Sequence, residues 1–287
     1  MQKDINRIVD LALSEDIAKR DITSNILIPK KHVSKAYIVL KERGIVCGLD
    51  IAQKVFKKLD RNVKFHAFHK DGDALPANTR IALVQGKTRA LLAGERVALN
   101  FLSHLSGIST NTNRFVKRIY PFPAKIMDTR KTTPCLRRLD KYAVRCGGGV
   151  NHRVNLSEMV HIKDNHIAAY NLNGSISGAI KKLRRSVNKL IIVEVDNIQQ
   201  FNEVLEAAPD IILLDNMSLS DMKKAVAINR KRRGKKKIFL EASGGINLST
   251  VRSIAKIGID RISIGKLTHS KKAIDVSMDM FSLKETK

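Results

Sequence analysis

Side chains that could bind an anion are concentrated between Asp128 and Arg153, in the stretch DTRKTTPCLRRLDKYAVRCGGGVNHR. This stretch contains seven Lys or Arg residues and a run of three glycines. Arg can grip a carboxylate or phosphate as a planar fork, and glycine lets the backbone approach a ligand closely. The same stretch carries side chains that form directed hydrogen bonds: Thr129, Thr132, Thr133, Asn151 and His152. This combination favours an anion-binding site over the alternative, a solvated basic loop.

Six short apolar segments, each typical of a buried strand, end on residues that could do chemistry. They span residues 124–127, 159–162, 190–193, 211–214, 238–240 and 261–264. Lys163, Glu194 and Asp215 follow three of them directly. Helical patterns separate the segments, which predicts parallel βα units. Because the active site of an α/β barrel lies at the C-terminal ends of its strands, we expect these residues to lie together there.

Two features of these strand ends indicate the kind of ligand. The glycines of SGG (243–245) and SIG (263–265) could let backbone N–H groups approach a phosphate, although glycine in an ordinary turn is the alternative. Glu194 and Asp215 could bind Mg²⁺, hold sugar hydroxyls, or pair with Lys163 or Arg153. Cations, two acids and glycine loops together predict a phosphorylated sugar and a second, anionic substrate.

The net formal charge of +26 over 287 residues raises nucleic-acid binding as a competing function. Against it, aromatic residues make up only 5% and Trp is absent, which leaves few platforms for base stacking. The densest basic run, RKRRGKKK at 230–237, is interpreted as a solvated loop. The apolar runs are too short to cross a bilayer, and the three cysteines form no CxxC pair. We therefore expect a cytoplasmic protein with free thiols and no nucleic-acid or membrane partner.

The part of the chain before the strand-rich region predicts a smaller α+β domain. Residues 4–13 and 49–59 have helical apolar spacing, and short strand patterns surround the second of these helices. A longer helix is predicted from about Thr88 to Ile108, with a leucine stripe on one face. Arg96 and Asn100 lie one turn apart on its polar side.

Motifs along nearly the whole chain, taken together and in this order, resemble the quinolinate phosphoribosyltransferase family. They are ERVALNFLSHLSGIST, DTRKTTPCLR, KYAVRCGGGVNHR, MVHIKDNHI, IIVEVDN, ILLDNMS, LEASGGI and ISIGKLTHS. The resemblance implies an N-terminal α+β open sandwich domain, residues 1–105 joined by the tail 270–287. It also implies an incomplete, seven-stranded α/β barrel over residues 106–269. The strand pattern alone does not separate seven strands from eight.

The same resemblance implies a reaction. Quinolinate and 5-phosphoribosyl-1-pyrophosphate, with Mg²⁺, would give nicotinate mononucleotide, pyrophosphate and CO₂ in de novo NAD synthesis. It also implies a homodimer, in which Arg96 reaches the site of the neighbouring subunit. A related phosphoribosyltransferase acting on nicotinate or another aromatic acid is the alternative. The arginines at 96, 130 and 153 favour a dicarboxylate.

Matched position by position, the resemblance implies roles for individual residues. Glu194 and Asp215 would hold the ribose hydroxyls or, directly or through the substrate, the metal. Together with Lys131 and Lys163 they form the expected catalytic set. The expected substrate-binding set is Arg96, Thr129, Arg130, Lys131, His152, Arg153, Lys163, Glu194, Asp215, Ser243, Gly244, Gly245, Ser263, Ile264, Gly265 and His269. Within it, the two glycine loops would cradle the 5-phosphate, and His269 would steady phosphate or pyrophosphate charge.

Four positions depart from the family pattern: Arg20, Cys135, His161 and Lys266. Cys135 stands where glycine is usual, and it could alter a loop conformation that glycine would reach easily. His161 stands where an aliphatic residue is common. None of the four replaces an expected substrate ligand, so the departures bear on rates and affinities rather than on the reaction.

Overall fold

A computed structural model of the chain describes residues 2–170, 176–232 and 237–282. Residues 233–236 of the basic run and residues 283–287 of the predicted tail lie outside the described residues. The helices are α1 Gln2–Ile17, α2 Ile22–Leu27, α3 Leu49–Leu59, α4 Thr88–Ile119, α5 Arg137–Cys146, α6 Asp164–Tyr170, α7 Ile176–Ser186, α8 Ile198–Glu206, α9 Leu219–Arg230, α10 Val251–Lys256 and α11 Lys266–His269. The strands are β1 Val33–Leu40, β2 Gly44–Ile45, β3 Lys64–Ala67, β4 Ala74–Leu75, β5 Thr79–Lys87, β6 Lys125–Met127, β7 Val160–Ile162, β8 Ile191–Val195, β9 Ile211–Asp215, β10 Phe239–Ser243, β11 Arg261–Ser263 and β12 Val276–Ser282. None of these helices is both long enough and apolar enough to cross a bilayer.

The chain divides into two compact units. Unit 1 comprises residues 1–113, 132–148 and 267–287, and unit 2 comprises residues 114–131 and 149–266. The predicted domains had the same order along the chain but assigned residues 132–148 to the barrel. Their boundaries, at residues 105 and 269, stay a prediction.

Unit 1 is built on an antiparallel sheet with strand order β12-β1-β5-β3. The C-terminal strand β12 forms one edge of this sheet, paired along nearly the whole of β1. Helix α3 buries Ile51, Ala52, Val55 and Phe56, an i, i+4 pattern that gives the helix one apolar face. Helix α1 packs against α3, so both helices predicted in this part of the chain are confirmed.

Helix α4 continues to Ile119, eleven residues beyond its predicted end at Ile108, so that end was predicted wrongly. Gly107 lies inside this helix, and a Cβ there would lie 2.4 Å from the carbonyl oxygen of Lys272. This glycine therefore permits close packing. Beyond it, the hydroxyls of Ser109 and Thr112 donate to carbonyls four residues earlier, at 3.1 and 2.8 Å. Their polar groups are thus satisfied inside the helix.

Unit 2 contains a parallel six-stranded sheet with the order β6-β11-β10-β9-β8-β7. These strands correspond to the six apolar segments of the sequence, which confirms all six. Val150 adds a seventh position beside β6, through a parallel bridge to Met127. Helices α8, α9 and α10 lie between successive strands. The predicted parallel α/β architecture is confirmed, with β7 and the Val150 position at its two edges.

Candidate active site

The register of the parallel sheet puts the expected carboxylates on one face. Asp215 at the end of β9 pairs with Ser243 of β10, and Glu194 of β8 pairs with Leu213, two residues before Asp215. Side chains alternate between the two faces of a strand, so Glu194, Asp215 and Ser243 share a face. The strand ends therefore bring together residues that are separated by about twenty to thirty positions in sequence.

Two basic side chains contact or approach Glu194: His161 lies within β7, and Lys163 follows this strand directly. The Nζ of Lys163 lies 2.8 Å from Oε2 of Glu194, and Nε2 of His161 lies 3.4 Å from the same oxygen. The nearby imidazole of His161, opposed by burial and reinforced by Lys163, lowers the pKa of Glu194 to about 2. The side chain is therefore a carboxylate at neutral pH. Of the pairings weighed from the sequence, Glu194 with Lys163 is the one that forms.

Glu241, in the middle of β10, is a fully buried acid that the sequence did not single out. It accepts a hydrogen bond from the Ser263 hydroxyl, and Nε2 of His152 lies 3.4 Å from its Oε1. Burial raises the pKa of Glu241, but His152 and Ser263 outweigh burial and hold the pKa below its usual range. The signal that could have identified Glu241 is an acid within the strand FLEAS, two residues before Ser243 and on the same face.

A second buried acid, Asp128, fixes the backbone before Arg153. Its carboxylate accepts a hydrogen bond from Nδ2 of Asn151 at 2.5 Å and another from the backbone N–H of His152 at 2.8 Å. The guanidinium of Arg153 donates to the carbonyl of Met159 at 2.9 Å. Asp128 therefore positions the expected ligands His152 and Arg153, a role that the sequence analysis did not assign to it.

Two arginines give this region its positive field. Arg153 is buried whereas Arg130 is exposed, and burial together with the charge of Arg130 lowers the pKa of Arg153. Two guanidinium groups that repel each other are stabilised by an anion bound near both. Thr129 accepts a hydrogen bond from the backbone N–H of Lys131 at 3.0 Å, so its hydroxyl shapes the loop that carries these cations.

The loop after β10 requires glycine. Gly244 has φ +88°, and a Cβ there would lie 2.2 Å from Oδ1 of Asn216. Gly245 also has positive φ, +62°, but faces open space. The backbone N–H of Asn216 donates to the Ser243 carbonyl at 2.9 Å, and its side-chain amide donates to Asp215 at 2.8 Å. Asn216 thus joins the glycine loop to the strand end that carries Asp215.

The residues at the end of β11 and after it form hydrogen bonds within the protein. Ser263 is buried and bound to Glu241, and the N–H of Ile264 donates to the Met127 carbonyl at 2.9 Å. These two groups stabilise the sheet, so in this arrangement neither is available to a phosphate. Gly265 follows at a half-buried position.

Two of the expected ligands belong to unit 1 rather than unit 2. Arg96 is exposed on α4, and His269 is exposed at the end of α11, with its Nδ1 2.7 Å from the hydroxyl of Ser270. The rest of the expected set belongs to unit 2, at or near the ends of its strands. The roles of the individual residues stay predictions.

Comparison with known proteins decides the family. Residues 21–106 match the model for the N-terminal domain of quinolinate phosphoribosyl transferase, and residues 108–279 match that for its C-terminal domain. The chain belongs to the quinolinate phosphoribosyl transferase family. Membership confirms the family and the type of enzyme, a phosphoribosyltransferase, that the motifs predicted.

Individual relatives cover almost the entire chain. A Mycobacterium leprae protein named nicotinate-nucleotide pyrophosphorylase (carboxylating) is 38% identical over 273 residues, which are 94% of each chain. The solved nicotinate-nucleotide pyrophosphorylase from Francisella tularensis is 40% identical, with a TM-score of 0.90 over 98% of this chain and 97% of that one. Its counterpart from Ehrlichia chaffeensis is 43% identical, with a TM-score of 0.89 over 96% and 98%. The likeness to these two solved structures confirms the α/β fold class that the sequence predicted.

Proposed function

We propose that this chain is a decarboxylating quinolinate phosphoribosyltransferase, which makes nicotinate mononucleotide, pyrophosphate and CO₂ from quinolinate and 5-phosphoribosyl-1-pyrophosphate. The observation that carries the proposal is the position of Glu194. It is held by Lys163 and His161 on the same sheet face as Asp215, and the glycine loop at 244–245 follows the next strand. This arrangement suits a substrate that is both a sugar and a phosphate.

The arginines supply the part of the site that suits a dicarboxylate. In the proposal, Arg130 and Arg153 bind the carboxylates of quinolinate, with His152 beside them and Lys131 nearby. Burial, together with the charge of Arg130, lowers the pKa of Arg153, and a bound anion would offset both effects. A monocarboxylate such as nicotinate would offset less of this charge, so the pair favours quinolinate.

Transfer begins when the bond between the ribose ring carbon and pyrophosphate breaks and its electron pair leaves with pyrophosphate. The positive charge that develops on the ribose is stabilised by the carboxylates of Glu194 and Asp215. The lone pair of the pyridine nitrogen then forms the new bond to this carbon. No covalent enzyme nucleophile is needed.

Decarboxylation follows from the charge of the product of transfer. Once the pyridine nitrogen is quaternary, its positive charge stabilises the electron pair left on the adjacent carbon when the carboxylate departs as CO₂. A proton from solvent then completes nicotinate mononucleotide. In this step Arg153 and Arg130 orient the departing carboxylate and exclude a competing anion.

Mg²⁺ fits the donor set of this region. Glu194 and Asp215 offer carboxylate oxygens, the donors that Mg²⁺ prefers, and both side chains remain partly accessible. In the proposal they hold the metal directly or through the ribose hydroxyls. When bound with the substrate, Mg²⁺ would neutralise negative charge on the pyrophosphate.

We also propose a cytoplasmic homodimer in which Arg96 acts in the neighbouring subunit. Its exposure on α4 leaves it accessible to a second chain. Mixing Arg96→Ala subunits with Glu194→Gln subunits tests the sharing. If sites are shared, mixed dimers have one intact site, and roughly a quarter of all sites regain activity. Mixtures that stay as inactive as either variant alone would contradict a site shared between subunits.

The experiment that tests the function compares two acids. Purified protein with Mg²⁺ and phosphoribosyl pyrophosphate is given quinolinate or nicotinate, and nicotinate mononucleotide is measured by chromatography. We expect turnover of quinolinate and little from nicotinate. Efficient use of nicotinate with none of quinolinate would assign the chain to the alternative reaction.

A further inference from the structure

His161 has a buried polar atom that the proposed mechanism has not used. Its side chain is only 8% exposed, and Nε2 has no well-aligned hydrogen-bond partner among the described residues. Leaving such a group unsatisfied is unfavourable. The nearby acceptor is Oε2 of Glu194, at 3.4 Å. This distance exceeds that of an ordinary N–H···O hydrogen bond by about half an ångström.

The sheet register explains why His161 can reach this oxygen. His161 pairs with Ile192 and Ile162 pairs with Val193, so the next position along, Lys163, lies beside Glu194. Residues two apart on a strand share a face, and both basic side chains approach Oε2 from that face. Lys163 is already in contact at 2.8 Å, whereas the imidazole remains slightly withdrawn.

Space filling alone does not account for a histidine here. The ring lies against that of His152, with 5.9 Å between centroids, a contact that an aliphatic side chain could also make. Burial lowers the pKa of His161, and the charges of Lys163 and Arg153 act in the same direction, against the nearby carboxylate of Glu194. A neutral imidazole keeps one N–H, which the Nε2 tautomer directs at Glu194.

We propose that His161 is a positioning residue for Glu194: its Nε2–H closes onto Oε2 when the phosphoribosyl substrate binds and fixes the carboxylate beneath the ribose. Hydrogen bonds in catalytic sites are often long before substrate binds and tighten in the complex. Lys163 and His161 would then hold one oxygen of Glu194 from two directions. This inference rests on the proposed function, in which Glu194 stabilises the charge on the ribose.

The test replaces the donor while keeping the volume. His161→Leu should lower kcat with phosphoribosyl pyrophosphate by about tenfold or more, the effect of losing a hydrogen bond to a charged group. The KM for quinolinate should stay unchanged, because His161 acts through Glu194. His161→Gln, which keeps an N–H donor, should recover much of the loss. His66→Leu, an exposed histidine of β3, is the matched control and should behave as the wild type.

A double variant separates positioning from packing. Once Glu194→Gln has removed the carboxylate, adding His161→Leu should cost little more, because the two residues act as a pair. Full additivity of the two losses, or wild-type kinetics in His161→Leu, would overturn the proposal. If the leucine variant does not fold, as judged by thermal unfolding, His161→Met carries the same test, since its flexible chain adapts to the space.

The two proposals fail in different ways. A wild type that does not convert quinolinate refutes the proposed function, whatever His161 does. A wild type that converts quinolinate, with a leucine variant of equal kcat, refutes only the role of His161.

Discussion

Buried polar groups are arranged differently in the two units. In unit 1, Asp140 is fully buried and satisfied on both oxygens, by His104 at 2.6 Å and by the N–H of Thr133 at 2.9 Å. In unit 2, Nε2 of His161 and Oε2 of Glu241 are buried without a hydrogen-bond partner within the described residues. The described part of unit 1 contains no such atom.

Asp71 is a second acid of unit 1 whose carboxylate forms several hydrogen bonds within the protein. Its carboxylate accepts the backbone N–H groups of Gly48 and Leu49 at the start of α3, and the hydroxyl of Tyr142 at 2.8 Å. A network that is complete within the protein contributes to stability. A network that leaves buried atoms within the strands without a partner costs some stability and is typical of a functional site. Substitutions in the two units should therefore affect different measurements.

The largest effect is expected in the incomplete network. Glu194→Gln removes the negative charge that would stabilise the ribose, so kcat should fall by about a hundredfold to a thousandfold. The melting temperature should change little, because Glu194 is partly accessible. Glu203→Gln, an exposed glutamate on α8, is the control. A Glu194→Gln variant with a much lower melting temperature and an unchanged kcat would show that Glu194 serves stability rather than catalysis.

The complete network should respond through stability. Asp140→Ala leaves His104 and the Thr133 N–H without their buried acceptor, and the free energy of unfolding should fall by about 3 kcal/mol. Denaturant titration measures this, with the exposed Asp16→Ala as control. A loss no greater than that of the control would show that this network is not a source of stability.

The glycine loop should show an intermediate effect. Gly244→Ala brings a Cβ against Asn216 and requires an alanine at φ +88°, so binding of phosphoribosyl pyrophosphate should weaken by about 1–2 kcal/mol. Calorimetry measures the affinity. Gly245→Ala imposes the positive φ in open space and should cost less. Equal losses would mean that contact with Asn216 does not shape the loop.

The smallest effect should be a gain in unit 1. Cys135 has φ +64°, which an L-residue adopts at a cost of about 1–2 kcal/mol. Cys135→Gly relieves this strain but adds freedom to the unfolded chain, so we expect a net gain of about 0.5 kcal/mol. Cys135→Ala keeps a Cβ and should bring no comparable gain. Equal unfolding midpoints for the two variants would exclude backbone strain at this position.

The sequence predicted what depends on local pattern. Six apolar segments predicted six parallel strands. Cys135 was noted as a departure from the usual glycine, but its positive φ was not predicted. The end of α4 was predicted too early because the leucine stripe that indicated the helix ends at Leu105. The close approach of residue 272 to Gly107 can be seen only in three dimensions.

The site was predictable where residues end strands and less so where they lie within them. Lys163, Glu194 and Asp215 follow apolar runs, so they could be identified from the sequence. The role of Glu241 depends on Ser263 and His152, which cross-strand register and loop geometry bring to it. The contact of His161 with Glu194 likewise depends on the pairing of β7 with β8, which no sequence pattern specifies.

The central claim is that phosphoribosyl transfer precedes and enables loss of the carboxylate. The direct measurement is release of labelled CO₂ from quinolinate labelled in the carboxylate next to the ring nitrogen, together with formation of nicotinate mononucleotide. We expect one CO₂ for each nucleotide formed, and none when phosphoribosyl pyrophosphate is left out. Release of CO₂ without phosphoribosyl pyrophosphate, or nucleotide formed without CO₂, would contradict the claim.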